Sequence, residues 1–157
     1  MVLTLYGAGL RRLEAINLDR TDVNWNDSLL TIRDTKFLKT RLVPFGPHLG
    51  QALTAYSRTR LQTAEGPFFT SRTGGRIAPH NLQRYFRLAC ARANVHRIDS
   101  SRFQPRLHDL RHTFAVHRLT SWYEQGANVQ QLLPHLSTYL GHVCIQGTQS
   151  YLTMTPA

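Results

Sequence analysis

His108 and Arg111 stand three residues apart in the stretch LHDLRHTF (107–114), and each residue type carries a chemical meaning. On a helix that spacing puts both side chains on one face, about 60° apart around the axis. The first can take or give a proton near neutral pH. The second is a permanent, fork-shaped cation matched to the oxygens of a phosphate. Downstream, LGH at 140–142 supplies another histidine, and Tyr151 supplies a phenol. Together they suggest phosphoryl transfer with a tyrosine nucleophile. In such a reaction negative charge builds on the non-bridging oxygens, so fixed cations stabilise the transition state more than the ground state. A base must assist the nucleophile, and an acid must protonate the departing oxygen.

His108 and His112 also form an HxxxH pair, a helical spacing that can bind zinc. The central glutamate of the zinc-protease motif is missing, Arg111 would repel a cation, and no third ligand stands out. No metal and no other cofactor is expected.

The composition agrees with a phosphate-bearing partner. The chain has 157 residues, a formal net charge of +10 and 41% hydrophobic residues, which suits one well-packed domain and not a disordered chain. Lys36 and Lys39 are the only lysines, and the other 17 basic residues are arginines. Arginine binds phosphate bidentately and stays charged when buried, whereas lysine can shift its pKa and donate a proton. The segment holding both lysines therefore stands apart. A basic balance with no lipid-anchoring signal favours nucleic acid over membrane. Cys90 and Cys144 lack CxxC spacing and read as free thiols in a reducing compartment. No run approaches membrane-spanning length, and the N-terminus has its charges after its apolar stretch, the reverse of a signal peptide. A cytoplasmic protein is expected.

These residues need elements to carry them. Leu10, Leu13 and Ile16 follow one another at helical spacing after an apolar opening and Gly7-Ala8-Gly9. Val23 with Trp25, Leu29 to Ile32, and Leu42 to Phe45 predict three short strands, parted by Asn26-Asp27 and the polar segment 34–40. Pro47 starts a helix running to about Thr63, and Pro79 opens another. A loop from Asn94 to Gln104 leads to the helix bearing HDLRHTF, which ends at Gly126. A further helix from Asn128 contains Pro134 and is expected to break there. The last helical turns approach Tyr151. The expected fold is α+β but mostly helical, one domain over 1–157 with a small three-stranded antiparallel sheet.

Taken in order, GAGLRRLEAINL, TKFLKTRLVPF, HDLRHTFA, LGH and the final SYL resemble the catalytic domain of the tyrosine recombinases, the phage integrase family. The likeness covers nearly the whole chain, and the nine residues from His142 to Tyr151 match the family's usual interval. It implies DNA strand cleavage and rejoining in site-specific recombination or integration, through a 3′-phosphotyrosyl intermediate, without cofactor or metal. Arg11 and Arg111 resemble the family's two catalytic arginines, able to hold both non-bridging oxygens of the scissile phosphate. Glu14 lies on the helical face of Arg11 and could orient it. Lys36 resembles the general acid that protonates the 5′ oxygen, with Lys39 as the competing candidate. His108 resembles the family's first histidine, an acid/base group or phosphate donor. His142 would donate to a non-bridging oxygen, and Tyr151 would be the nucleophile. Tyr139, the rival phenol, precedes LGH in an apolar context and reads as core.

The chain opens almost at the first arginine motif and stops six residues after Tyr151. The resemblance therefore implies a catalytic domain lacking the DNA-clamping N-terminal domain and the C-terminal segment that docks on a neighbour. Its expected partners are double-stranded DNA and other recombinase protomers on DNA, with a monomer possible in isolation. Two other readings stay open: a weak or inactive DNA-binding remnant, and an enzyme resembling type IB topoisomerases.

Overall fold

In a computed structural model, the described residues are 1–33, 40–59, 65–98, 104–142 and 144–154. Lys36 and Lys39 lie outside them, as does the stretch following Met154. The helices are α1 (Val2–Gly7), α2 (Arg12–Asn17), α3 (Pro47–Arg58), α4 (Pro79–Arg92), α5 (Leu107–Glu124), α6 (Val129–Leu140) and α7 (Gln146–Gln149). Strands β1 (Val23–Asn24), β2 (Leu29–Ile32) and β3 (Arg41–Pro44) form one antiparallel sheet in the order β1-β2-β3. The mostly helical fold with a three-stranded antiparallel sheet is the one expected, and the third strand starts one residue early, at Arg41.

Starts and stops follow local chemistry. Proline stands at the first position of both α3 and α4, where its missing N–H costs no hydrogen bond. Helix α5 begins with a capping box, in which the Arg106 N–H donates to Asp109 Oδ2 at 2.8 Å. It gives way to Gly126, at φ +67°. Asn128 caps α6 by accepting from the Gln131 N–H.

Two sequence expectations are corrected. Helix α6 passes through Pro134 without breaking. Proline there deprives the Gln130 carbonyl of a donor, but Gln130 is exposed, so water can replace it. The expected stripe of Leu10, Leu13 and Ile16 also fails, because α2 starts only at Arg12. Leu10 and Ile16 are buried, but Leu13 is 51% exposed, and Glu14 takes an inward position. Helix α3 ends at Arg58 with Thr59 as its cap, short of Thr63, which lies outside the described residues.

Apolar side chains gather in two clusters. The larger joins α1, the sheet, α3, α4 and the Phe68-Phe69 loop, with Leu30, Val43, Leu53 and Phe69 nearly inaccessible. The smaller joins α5, α6 and the C-terminal turns through Ala115, Leu119, Leu133, Leu140 and Tyr151. Helix α5 borders both, with Leu107 in the first cluster and Ala115 in the second. Arg111 lies between those two positions on the same helix.

Candidate active site

Arg111 is 1% exposed, the most deeply buried charge among the described residues. Its Nη1 donates to the Gly9 carbonyl at 2.7 Å and its Nη2 to the Leu140 carbonyl at 2.6 Å. Burial first, then the nearby Arg11, lowers its pKa to about 10, so it stays charged at neutral pH. Arg11, the N-cap residue of α2, donates from Nη2 to the Gly141 carbonyl at 2.7 Å and from Nη1 to Glu14 Oε1 at 2.8 Å.

A third arginine completes the group. Arg41, on β3, donates from Nε to the Tyr139 carbonyl at 2.9 Å and forks onto both oxygens of Glu14 at 2.9 and 2.8 Å. The last three carbonyls of the α6 C-terminal turn, at 139, 140 and 141, thus each accept from a different guanidinium. Those carbonyls form the negative end of the helix, where cations are favoured and donors are needed. Glu14 binds two of the arginines and lies 4.0 Å from the third. Burial opposes its charge, but hydrogen bonds and charge from Arg41, then Arg11, prevail and bring its pKa down to about 2.

Two glycines permit this packing. Gly141 has φ +65°, and a Cβ there would stand 3.0 Å from Arg41 Nη1. Gly9 has φ +59°, and a Cβ there would stand 2.5 Å from the Phe114 ring. The first explains the glycine of LGH, and the second a glycine of GAGLRR.

The turn at Gly141 delivers His142, whose backbone N–H donates to Ser137. Its Nδ1 lies 2.7 Å from the hydroxyl of the fully buried Thr148 on α7. Burial, then Arg111, Arg11 and Arg41, lower the His142 pKa to about 4, so the ring is neutral at pH 7. Tyr151 is 2% exposed, its ring 6.1 Å from that of His142 and stacked at 25°. A second neighbour is His112, 5.3 Å away. His108 meets His112 edge to face at 4.5 Å. Its pKa is lowered by partial burial, then by His112 and Arg111. Among the described residues, no group of three or more His, Cys, Asp or Glu side chains is placed to hold a metal. Tyr139 packs as expected of a core residue, stacked on Phe114 with its hydroxyl donating to the Ala8 carbonyl at 3.2 Å.

Arg11, His108, Arg111, His142 and Tyr151 therefore lie in one connected neighbourhood. Beside it opens a cleft of about 680 Å³ lined by Arg11, Arg12, Arg33, Arg87, Arg106 and His108, among others. Its arginines make it a basic surface suited to a polyanion.

Sequence reasoning missed Arg41, His112 and Thr148. A signal for Arg41 was present. It pairs with Ile32, and Val43 beyond it is buried, so strand alternation turns Arg41 inward. An inward arginine needs a carboxylate partner. Thr148 gave no such signal.

The model of the phage integrase family matches residues 1–157. The chain is 44% identical over 154 residues to y4rB of Sinorhizobium fredii, named as an integrase/recombinase, covering 95% of this chain and 49% of that protein. It is 30% identical over 150 residues to tyrosine recombinase XerC of Chlamydia caviae, covering 93% and 43%. The crystal structure of XerA recombinase superposes with TM-score 0.74 at 27% identity, over 94% of this chain and 49% of that one. The catalytic domain of bacteriophage HP1 integrase gives 0.64 at 26%, over 99% and 73%. XerH bound to its difH substrate shares the fold, with TM-score 0.73 at 18% identity over 98% and 41%. The chain spans about half the length of the relatives it matches.

Proposed function

The chain belongs to the phage integrase family, and on that premise we propose that it cleaves and rejoins one strand of double-stranded DNA in site-specific recombination or integration. The observation that carries this reading is the seating of Arg11 and Arg111 on successive carbonyls beside His142, with Tyr151 packed against the His142 ring. Each guanidinium has five N–H donors, and the hydrogen bonds described above use two of them.

In the proposed step the Tyr151 phenolic oxygen attacks the scissile phosphorus. A P–O bond forms, the bond to the 5′ oxygen breaks, and the 3′ end remains linked to tyrosine. Arg11 and Arg111 neutralise the growing charge on the non-bridging oxygens, already oriented by their carbonyl partners. His142 donates from Nε2. As a neutral ring it can do so only while Nδ1 accepts, and the Thr148 hydroxyl is placed to fill that acceptor. His108, at the cleft, takes the phenol proton or bonds the phosphate. Lys36 delivers a proton to the 5′ oxygen. The phosphotyrosyl link keeps the phosphodiester's energy, so attack by a 5′ hydroxyl reverses the step without a cofactor. The partners this implies are DNA and further recombinase protomers assembled on it.

Nicked suicide duplexes with a randomised sequence test the reading, because loss of the short 5′ fragment traps the adduct. Wild type is expected to give a denaturant-resistant protein–DNA complex, with Tyr151 as the modified residue, and Tyr151→Phe to give none. An adduct formed equally well by Y151F would sink the assignment. The burial of Tyr151 favours one other reading, a domain that holds DNA without cutting it. Salt-dependent binding with no adduct under any condition would select it.

A further inference from the structure

His112 has no role in the chemistry above, yet its ring contacts two others of the site, those of His108 and Tyr151. One turn after His108 on α5, it meets that ring at 4.5 Å with an interplanar angle of 88°. It also meets Tyr151 at 5.3 Å and 64°. Tyr151 in turn stacks on His142 at 6.1 Å. The four rings form a chain, 108–112–151–142, in which His112 joins α5 to the tyrosine and the tyrosine joins His112 to the LGH turn.

What holds the His112 ring is unusual for a buried imidazole. Its Nδ1 is inaccessible and has no hydrogen-bond partner among the described residues. Leaving such an atom unpaired is costly, and most buried polar atoms avoid it. The ring is therefore oriented by its aromatic neighbours, not by a hydrogen bond through Nδ1. Partial burial lowers its pKa, and Arg106 and Arg111 add to that against the pull of Asp109, so the neutral form is favoured. A neutral ring packs against a phenol without adding charge to a site already rich in arginine. Edge-to-face contacts of this kind set ring orientation as well as contributing packing energy.

We propose that His112 is a positioning residue for the nucleophile: its imidazole ring, through shape and edge contact, holds the Tyr151 ring against His142. The claim rests on the reading of Tyr151 as nucleophile, but its geometric part can be tested apart from it. Tyr151 follows the four-residue helix α7, and the short turn Leu152–Met154 follows it, so the local backbone offers little to fix the ring. Side-chain packing must do so, and His112 is the α5 ring that reaches it. A nucleophile must be held to within fractions of an ångström, and a displacement of about 1 Å can cost a hundredfold in rate.

Two variants separate the ring from its nitrogens: His112→Ala removes the platform, and His112→Phe keeps an aromatic ring of similar reach. The first readout is nitration of Tyr151 by tetranitromethane, followed by peptide mass spectrometry, with the 61% exposed Tyr85 as internal reference. Wild type should protect Tyr151 relative to Tyr85, H112A should lose the protection, and H112F should restore it. The second readout is adduct yield on the randomised suicide duplexes. It should fall about tenfold to a hundredfold in H112A and return in H112F, with equal non-covalent affinity for a random duplex throughout. Three results would overturn the proposal: H112A matching wild type in both readouts, H112F losing protection, or H112F keeping protection but forming no adduct. The last would assign the role to an imidazole nitrogen. If H112A does not fold, the H112F results decide alone. Should wild type form no adduct while the nitration contrast holds, the functional reading fails and the packing role of His112 stands.

Discussion

At the arginine end of the site, three guanidiniums lie on three successive carbonyls of the α6 terminus and two of them share the Glu14 carboxylate, through charge-assisted hydrogen bonds between 2.6 and 2.9 Å. At the tyrosine end, four rings follow one another at 4.5 to 6.1 Å, and His142 is joined to Thr148 by a side-chain hydrogen bond. The first region is held by directional bonds from the Gly9 turn, α2, β3, α5 and α6. The second hangs on packing around the short helix α7. A phosphate site gains from donors fixed in advance, because no reorganisation is then needed as charge develops. A tyrosine side chain can instead be oriented by ring packing, which fixes its plane without a directional bond.

Damage at the arginine end should therefore cost mainly the fold, and damage at the tyrosine end mainly chemistry. Arg111→Ala should show the largest effect. It leaves the Gly9 and Leu140 carbonyls without their donors and takes a cation from near Glu14, a loss of roughly 3–5 kcal/mol for breaking a buried charged network. Urea unfolding measures it. Tyr151→Phe removes only a hydroxyl and should shift the same curve by less than about 1 kcal/mol. Equal shifts would break the comparison.

Acid should expose the same asymmetry. Glu14 titrates at about 2 in the fold against 4.5 for an ordinary glutamate, which makes its ionised form stabilising. The folded pKa is the depressed one, so this contribution is complete above pH 4.5 and is lost as pH falls towards 2. The shift corresponds to roughly 3 kcal/mol in full. Glu14→Gln should be less stable at pH 7 and should flatten the urea midpoint against pH below 4.5. An unchanged acid limb would mean that Glu14 does not hold the arginines together in solution.

How far the sequence reached is set by the same physics. Residues whose type alone states a chemistry were legible: Arg11, His108, Arg111, His142 and Tyr151 occupy one neighbourhood, as their ordered motifs implied. Elements with strong local signals were legible too, such as the β2 strand at Leu29–Ile32 and the proline-started α3 and α4. Arg41 escaped because its role depends on a pairing with Glu14 across 27 residues, and only strand register turns it inward. Pro134 misled because a local rule assumed that a lost hydrogen bond must break a helix, while the orphaned carbonyl belongs to an exposed residue. His112 was weighed only as a metal ligand, since its contact with Tyr151 joins residues 39 positions apart. Lys36 remains a reading of sequence, outside the described residues.

A smaller effect belongs to the hydrogen bond between His142 and Thr148, inside the tyrosine end. Thr148→Val keeps the side chain's shape but takes the hydroxyl from His142 Nδ1, at a cost of about 1 kcal/mol in stability. The consequence for chemistry is sharper than for folding, because the ring loses the partner that keeps its proton on Nε2. Cleavage by T148V should slow about tenfold with non-covalent DNA affinity unchanged, the loss expected for a donor that is present but no longer oriented. Stability offers an independent check. His142 titrates at about 4 in the fold against 6.5 as a free side chain, so the unfolded chain takes up the proton first. Stability therefore falls as pH drops from 6.5 to 4, and His142→Gln should remove that slope. T148V should retain it, because burial and the three arginines set the shift, and neither involves the hydroxyl. A T148V protein that loses the slope would show that the hydroxyl, not the arginines, holds the ring neutral, and that the two regions depend on each other more closely than their contacts imply.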